Sequence, residues 1–276
     1  MSGSQLKGKT ALVTGASSGI GAAFARQLAA AGADLVIVAR RQAELDKLAG
    51  ELRAAHGVTV DVIAIDLGTA GAGAELFART EGAGRVVDLL INNAGFGEHR
   101  WFIDQAWDRV AQQLQLNIVT LTELSHRFGN AMAARGRGHI LNVASIGAYT
   151  PTPSYATYSA GKAYVRDFTE AIAFELAPRG VRVCSVCPGL TTTEFHLVSG
   201  QTLPGWMKRF ASMSADRCAA IGLRALLGWR RNVVTGVSNK LSMWILRFVP
   251  RRMMVWIAFR TMGPPRLGSG QGNASS

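Results

Sequence analysis

Tyr158 and Lys162 are the two side chains whose types and spacing most directly suggest proton chemistry. They lie four residues apart in a helical pattern over 155–178, so they share one face of the predicted helix. A free tyrosine has a pKa near ~10, and a fixed ammonium beside it favours the phenolate and lowers that pKa. The pair therefore predicts a tyrosine that exchanges protons. An exposed helix pair is the simpler alternative, but Ser145, thirteen residues upstream at a predicted strand end, argues against it.

The stretch VTGASSGIG (13–21) allows two interpretations. GASSG fits the G-x-S-x-G pattern of a hydrolase elbow, with Ser17 as the nucleophile, and TGASSGIG fits a glycine-rich turn that binds dinucleotide phosphates. A hydrolase needs an acid and then a histidine later in the chain. Three of the five histidines fall in predicted helices or at a strand start, and the other two, His99 and His196, have no evident carboxylate partner. The hydrolase interpretation is therefore disfavoured.

The phosphate-binding interpretation gives each small residue of this stretch a role. Gly15 permits a tight turn, and Gly19 lets the backbone approach the phosphates. Gly21 lets the following helix pack close to the strand, with its amino end toward the pyrophosphate. The hydroxyls of Ser17 and Ser18 can then donate hydrogen bonds to phosphate.

A chain of 276 residues is long enough for one large α/β domain, and 48% of its residues are hydrophobic and 17% are charged. The start, MSGSQLKGKT, lacks the apolar core of a signal peptide, so we expect a cytoplasmic protein. The net charge of +12 is concentrated near the end, because residues 217–276 hold ten Lys and Arg and no acid. That segment is rich in Trp, Met and Phe and the remainder is nearly neutral, which disfavours a nucleic-acid partner.

Apolar runs of strand length alternate with helical patterns along most of the chain. This alternation predicts a single Rossmann-type, doubly wound parallel sheet of about seven strands, with helices on both faces. Ligands of such sheets bind beyond the carboxyl ends of the strands, where Gly15, Asn92, Ser145 and Pro188 lie. The predicted strands are 11–15, 35–40, 60–66, 87–94, 139–145, 181–188 and 232–237, and the predicted helices are 19–32, 42–56, 72–80, 104–134, 155–178 and 215–228.

From about residue 7 to 237 the chain resembles the short-chain dehydrogenase/reductases. The motifs that carry the resemblance, in the family's order, are TGASSGIG (14–21), Asp66-Leu67, NNAG (92–95), Asn117 in LNIVT, Ser145 in NVASIG, YSAGK (158–162) and PGLTTT (188–193). LLINNAGFG and the basic tail are similar to the branch of long-chain 3-ketoacyl reductases and hydroxysteroid dehydrogenases. The resemblance implies an oxidoreductase that interconverts a carbonyl and an alcohol, and a homodimer or homotetramer that pairs the helices over 104–134 and 155–178.

The resemblance also implies the catalytic roles. Tyr158 would give a proton to the carbonyl oxygen as hydride arrives, and Lys162 would hold the nicotinamide ribose. Ser145 would hydrogen-bond and polarise the substrate oxygen. Asn117 would anchor a water that passes protons to Lys162. A non-catalytic dinucleotide-sensing or membrane-adaptor protein on the same fold is the alternative, although a sensor needs no proton donor.

The cofactor positions follow from the same resemblance. The glycine turn would bind phosphate, and Asp66 and Leu67 would contact the adenine. The last three residues of NNAG would line the ribose. The implied contacts are Gly15, Ser17, Ser18, Gly19, Ile20, Gly21, Asp66, Leu67, Asn93, Ala94 and Gly95, then Tyr158 and Lys162, and then Pro188, Gly189, Thr191 and Thr193 at the nicotinamide carboxamide. Asn92 is expected to help hold the sheet.

The end of the second predicted strand indicates which dinucleotide is preferred. NAD enzymes usually carry an acid there to accept the ribose hydroxyls, whereas this chain has Ala39 followed by Arg40 and Arg41. A guanidinium pairs well with a 2′-phosphate. We therefore expect NADP(H), with Arg40 as the main contact, although a solvated arginine pair at a helix start is the alternative.

The remaining segments are assigned by position and composition. We expect the catalytic domain to end near 238 and to contain a variable substrate loop over about 190–214 that covers an apolar carbonyl substrate. Cys184 and Cys187 form a C-x-x-C, but three-residue spacing in a strand points them to opposite faces, and no metal site is expected. The segment 239–263 would bind an acidic membrane peripherally or pack on its own or a partner subunit, and 264–276 would be disordered.

Overall fold

Seven parallel strands form the central sheet. The computed structural model describes residues 6–192 and 213–262. The strands are β1 Thr10–Thr14, β2 Asp34–Ala39, β3 Val60–Ala64, β4 Leu89–Asn92, β5 Gly138–Val143, β6 Val181–Cys187, β7 Thr191–Thr192, β8 Met213–Ser214 and β9 Asn232–Val234. In the main sheet they pair in the order β3-β2-β1-β4-β5-β6-β9. The order reverses between β1 and β4, so the crevice where such sheets bind ligands lies at the ends of these two strands.

Nine α-helices are described, together with several short 3-10 turns. They are α1 Gly19–Ala30, α2 Gln42–His56, α3 Ala72–Ala78, α4 Trp107–Leu114, α5 Leu121–Ala134, α6 Ala156–Leu176, α7 Ala215–Leu227, α8 Val237–Ile245 and α9 Arg251–Met262. A π-helical segment, Gln115–Thr120, joins α4 to α5. The doubly wound sheet of about seven strands predicted from the sequence is confirmed.

The strands are continuously apolar because the sheet is covered on both faces. Successive strand residues alternate between two core layers: Val13 and Ile37 pack with α1, α2 and α7, whereas Leu12 and Val36 pack with α3, α5 and α6. Neighbouring residues of one strand thus pack on opposite faces of the sheet. This burial fixes the strand register, and with it the positions of the loops at the carboxyl edge.

The predicted bounds differ from the structure at two informative places. The predicted strand 232–237 ends at Val234, and α8 begins at Val237 after Gly236 with φ +86°. A short apolar run does not distinguish a strand from the start of a helix. The predicted helix 104–134 begins instead at Trp107 and contains the π-helical segment, which interrupts the α-helical hydrogen bonding at Asn117.

Two sequence predictions fall outside the described residues. These are most of the substrate loop, including Thr193, and the terminal stretch 264–276. The ends of the loop region are described, and there β7 and β8 form a small parallel ladder. Among the helices that the structure describes, none is both long enough and apolar enough to cross a membrane.

Candidate active site

The glycine turn after β1 has the geometry that its sequence predicts. Gly15 and Gly19 both adopt positive φ, at +66° and +56°, which favours glycine. A Cβ on Gly15 would lie 2.8 Å from Nδ2 of Asn93, and one on Gly21 would overlap the carbonyl oxygen of Gly15. Ser18 stands at the N-cap of α1 but makes no side-chain capping bond there. The turn therefore presents a tightly packed backbone and an uncapped helix amino end, which is a geometry suited to binding phosphate.

Thr14 joins this turn to the loop after β4. Its hydroxyl accepts hydrogen bonds from the backbone N–H groups of Asn93 and Ala94, both at 3.0 Å, and donates to the carbonyl of Ile91 at 3.2 Å. The Asn93 amide donates back to the carbonyls of Thr14 at 3.0 Å and Gly15 at 3.2 Å. The two loops are thus held as one rigid surface at the carboxyl edge of the sheet.

Asn92 lies beneath that surface in a buried polar network. Its Nδ2 donates to Ser125 Oγ at 3.1 Å and to Asn142 Oδ1 at 2.9 Å. Asn142 in turn donates to Thr169 Oγ1 at 3.0 Å, so the network links β4 and β5 to the helices α5 and α6. This placement agrees with the expectation that Asn92 holds the sheet together.

Asn117 lies in the π-helical segment and is almost completely buried, at 2% exposed. Its side chain makes two hydrogen bonds with the backbone of Phe96. The Asn117 Nδ2 donates to the Phe96 carbonyl at 2.8 Å, and the Asn117 Oδ1 accepts from the Phe96 N–H at 3.2 Å. A Cβ on Gly95 would lie 2.9 Å from Asn117 Oδ1 and 3.5 Å from Lys162 Nζ. The loop after β4 therefore packs closely between Asn117 and Lys162. The π-helical segment that carries Asn117 is of a kind frequently found at functional sites.

Ser145, Tyr158 and Lys162 meet at the end of β5. The hydroxyl of Ser145 accepts from the Gly147 N–H at 3.1 Å and is hydrogen-bonded to the Tyr158 side chain. Lys162 is 5% exposed, and its Nζ lies 5.8 Å from the centroid of the Tyr158 ring. The ammonium donates to the Val143 carbonyl at 2.7 Å. Two hydroxyls and a buried cation thus converge beside the glycine turn and the loop after β4.

The ionisation of this group differs from the prediction. Burial raises the pKa of Tyr158 to about 12, although the Ser145 hydrogen bond opposes the rise. Burial also lowers the pKa of Lys162 to about 8. The prediction that the ammonium lowers the pKa of Tyr158 is therefore wrong for this arrangement. Loss of hydration disfavours both charged forms, and the ammonium donates a hydrogen bond to the Val143 carbonyl.

Comparison with known proteins identifies the family. The family model described as short chain dehydrogenase matches residues 9–202. A 7beta-hydroxysteroid dehydrogenase of Collinsella aerofaciens is 32% identical over 238 residues, covering 84% of this chain and 88% of that relative. This chain belongs to the short-chain dehydrogenase family. It is therefore an oxidoreductase, and its resemblance to the branch that includes hydroxysteroid dehydrogenases is confirmed.

Solved structures of the short-chain dehydrogenase family share the fold over nearly the whole chain. One, from a study of 7beta-hydroxysteroid dehydrogenase stereoselectivity, has a TM-score of 0.85 and 29% identity, covering 94% of this chain and 99% of that one. A short-chain dehydrogenase from Sphingobium yanoikuyae in complex with NADPH has a TM-score of 0.79 and 29% identity, covering 96% and 99%. Some structures in the family thus contain NADPH.

Both arginines after β2 face the candidate cofactor surface of this short-chain dehydrogenase, but they make different contacts. Arg41 approaches the glycine turn, with its Nη2 3.2 Å and its Nε 3.4 Å from Ser17 Oγ. Arg40 forms an exposed ion pair with Asp66, at 3.7 Å. Arg40, the main contact expected from the sequence, thus pairs with Asp66, and Arg41 lies beside the predicted phosphate turn.

Asp66 and Leu67 lie just after β3, at the same edge of the sheet. One carboxylate oxygen of Asp66 accepts from the Gly68 N–H at 2.8 Å, and the other pairs with Arg40. Leu67 is buried at 4% exposed and packs into the core, while its carbonyl accepts from Thr120 Oγ1 at 2.9 Å. Of the two predicted adenine contacts, only Asp66 presents its side chain to the surface.

The predicted nicotinamide end lies after β6 and is supported by the start of α8. The N–H of Gly189 donates to Thr235 Oγ1 at 3.3 Å, and the Thr191 hydroxyl donates to the Gly189 carbonyl at 3.1 Å. The Pro188 carbonyl accepts from the Ile146 N–H at 2.9 Å, which ties this loop to the turn after Ser145. A Cβ on Gly189 would overlap the side chain of Asn239.

Thr14, Phe96 and Asn239 support the site although no sequence motif assigns them that role. Thr14 lies inside the glycine motif TGASSGIG, so the motif marks its position. The motif does not indicate that its hydroxyl binds the loop after β4. Phe96 contributes only its backbone to Asn117, and Asn239 reaches Gly189 from helix α8, fifty residues away along the chain. Contacts of this kind depend on tertiary packing and leave no local pattern.

Proposed function

We propose that this short-chain dehydrogenase transfers hydride between NADP(H) and a carbonyl or alcohol carbon, with Tyr158 as the acid/base residue. The observation that carries the proposal is the hydrogen-bonded Ser145–Tyr158 pair above the buried Lys162, beside a glycine turn with an uncapped helix end. Bound NADPH would supply the hydride. The protein's own groups would supply the proton and the polarising hydrogen bonds.

In the reducing direction the Tyr158 hydroxyl gives its proton to the carbonyl oxygen while hydride adds to the carbonyl carbon. A pKa near 12 keeps the phenol protonated at neutral pH, so the acid is always available. Ser145 donates a hydrogen bond to the same oxygen and stabilises the charge that develops on it. Lys162 lies close enough to stabilise the phenolate left behind, and Asn117 holds the adjoining loop in place.

The preference for NADPH rests on the two guanidinium groups after β2. Arg41 beside Ser17 and Arg40 beside Asp66 would together flank a 2′-phosphate attached to the adenosine ribose. We expect Arg40→Ala and Arg41→Ala each to raise KM for NADPH and to leave KM for NADH nearly unchanged. Equal or better kcat/KM with NADH in the unaltered enzyme would contradict the NADP preference. If only Arg41→Ala changes the preference, the 2′-phosphate contact belongs to Arg41 rather than Arg40.

We propose a bulky, apolar ketone as the substrate class. Aromatic side chains pack next to the proton donor: the rings of Tyr158 and Tyr155 lie 5.7 Å apart, and His99 stacks on the buried ring of Tyr155 at 4.9 Å. The 7beta-hydroxysteroid dehydrogenase of Collinsella aerofaciens supports a steroid, because the flat, rigid rings of a steroid favour an aromatic environment such as this one. The test is a panel of ketosteroids, 3-ketoacyl thioesters and small ketones with NADPH, followed by the loss of NADPH absorbance. Higher kcat/KM on the small ketones would contradict the substrate class.

Turnover also separates this function from its alternative. A non-catalytic dinucleotide sensor would bind NADPH tightly, show no consumption with any carbonyl class, and respond in binding alone to the arginine substitutions. Consumption that yields the alcohol in a one-to-one ratio with NADPH would exclude the sensor.

Self-association is the second part of the proposal. An apolar groove of about 470 Å³ lies between α6 on one side and α4 with the π-helical segment on the other. Phe102 and Trp107 line it while remaining 58% and 70% exposed. We expect Trp107→Ser to lower the mass measured by light scattering, whereas Trp229→Ser, on another exposed surface, should not. An unaltered enzyme that is monomeric at micromolar concentration would refute this part.

A further inference from the structure

The exposed face of α8 is apolar, although this helix lies on the outside of the chain. The spacing of one helix face is followed by Val237, Leu241, Trp244 and Ile245 of α8 and by Phe248 of the 3-10 turn after it. Each of the five is between 48% and 81% exposed. No described side chain of α8 is buried. We call these five residues the apolar stripe. An apolar stripe that faces solvent is unusual enough to indicate a binding surface.

The opposite side of α8 and the inner side of α9 attach this surface to the catalytic domain. Asn239 donates to the Thr235 carbonyl at 2.7 Å and packs on Gly189. Phe259 of α9 packs against Trp101, with ring centroids 5.6 Å apart. One face of these helices therefore packs on the chain's own domain, which is one of the alternatives that the sequence left open. The other face is left exposed.

Cations flank the apolar stripe. Lys240 and Arg247 lie along one margin of the stripe on the helix surface and line a cavity of about 260 Å³ together with Arg230. Asn232, also in the wall, binds the carboxylate of Glu170, so one acidic group lies beside these three cations. Three more exposed cations lie on α9: Arg251, Arg252 and Arg260. The sequence contains no acidic residue after Asp216, so the surface is strongly positive.

The exposed outer face of α9 repeats the same combination. Met253, Trp256 and Ile257 are exposed, and the guanidinium of Arg260 lies 5.1 Å from the centroid of the Trp256 ring. Aromatic side chains next to arginines favour the boundary between water and lipid headgroups, because the ring prefers the apolar side and the guanidinium the phosphates. Both helices thus expose apolar and cationic side chains together.

We propose that α8 and α9 bind an acidic phospholipid surface, with the apolar stripe at the headgroup boundary and the three cavity cations around lipid phosphates. Pairing with a second copy fits less well, because a two-fold interface would bring the same cations face to face. Nucleic acid also fits less well, because Leu241, Ile245 and Val237 offer aliphatic surface that bases and phosphates do not use. The enzyme would then take apolar substrate at a membrane.

The test is flotation of the full chain with vesicles of phosphatidylcholine alone or mixed with phosphatidylglycerol, at low and high salt. We expect binding only to the mixed vesicles and weaker binding at high salt. The triple substitution of Arg230, Lys240 and Arg247 to Gln should weaken binding by roughly a hundredfold, at about fivefold per cation near the surface. Trp244→Ser should weaken it at both salt concentrations.

Matched controls separate this inference from general charge effects. Lys7, Lys47 and Arg179 are exposed cations on other surfaces, and changing all three to Gln should leave vesicle binding within about twofold. An unchanged circular dichroism spectrum shows that each variant is folded. No binding to acidic vesicles by the unaltered protein would overturn the proposal. Equal loss in the control triple would also overturn it, as would binding to duplex DNA that depends on Arg230, Lys240 and Arg247 in place of binding to vesicles.

Discussion

The lowered pKa of Lys162 makes a quantitative prediction about pH. Burial moves this pKa from 10.5 to about 8, so the ammonium is half lost near pH 8 and about tenfold depleted by pH 9. Tyr158, with a pKa near 12, stays protonated over this range. If the charged lysine is required, kcat/KM for NADPH in ketone reduction should fall about tenfold per pH unit above about pH 8.

The linkage of this pKa to stability acts against unfolding as the cause of that fall. The folded-state pKa of Lys162 lies below the unfolded value, so the unfolded chain binds more protons between pH 8 and 10.5. The contribution of Lys162 to stability therefore rises with pH across this window, by on the order of 3 kcal/mol in total. Circular dichroism at each pH would verify that the enzyme remains folded where its activity declines.

The matched variant is Lys162→Arg, because a guanidinium remains charged up to pH 10. Its overall rate should be lower, since the larger group must fit a buried site next to Val143 and Gly95. Its kcat/KM should nevertheless lose the decline above pH 8. A flat profile for the unaltered enzyme through pH 9.5, or the same decline in Lys162→Arg, would refute the assignment of this ionisation to Lys162.

Two further predictions concern the stability of the fold and of the glycine turn. Burial, aided by Arg182, lowers the pKa of His139 from 6.5 to about 4, so its stabilising contribution is complete above pH 6.5 and is lost as pH falls to 4. Urea titrations should show that the free energy of unfolding falls by up to about 3 kcal/mol more in the unaltered protein than in His139→Gln over that range. Equal falls in the two proteins would contradict this prediction. Gly21→Ala should cost about 1–3 kcal/mol and weaken NADPH binding, because the added Cβ meets the Gly15 carbonyl. Gly50→Ala, in α2 with open space around its Cβ, should instead stabilise by up to about 1 kcal/mol, and equal effects of the two substitutions would show that the turn is not tightly packed.

The sequence predicted the parts of the site that depend on local pattern. Continuous apolar runs located the strands within two residues at most ends, and Gly15, Asn92 and Ser145 then followed at the carboxyl edge, where the structure has them. The spacing of Tyr158 and Lys162 placed both on one side of α6. Motifs at the ends of parallel strands are brought together by the fold itself.

Other features depend on packing that the sequence does not encode locally. The direction of the Tyr158 pKa shift follows from burial, and burial is known only once α6 is placed against β5. Which of Arg40 and Arg41 faces Ser17 depends on rotamers after β2. The helix at Val237 was assigned to a strand because NVVTGV is equally apolar in either structure.

The measurement that tests the central claim most directly is the turnover of Tyr158→Phe with NADPH and the best ketone substrate. The substitution keeps the ring and removes only the hydroxyl that is bonded to Ser145. Positioned proton transfer typically contributes ~10²–10⁴-fold, so kcat should fall at least a hundredfold. NADPH affinity should barely change, because it rests on the glycine turn and the arginines after β2. A variant that retains a tenth of the original turnover would show that Tyr158 is not the proton donor.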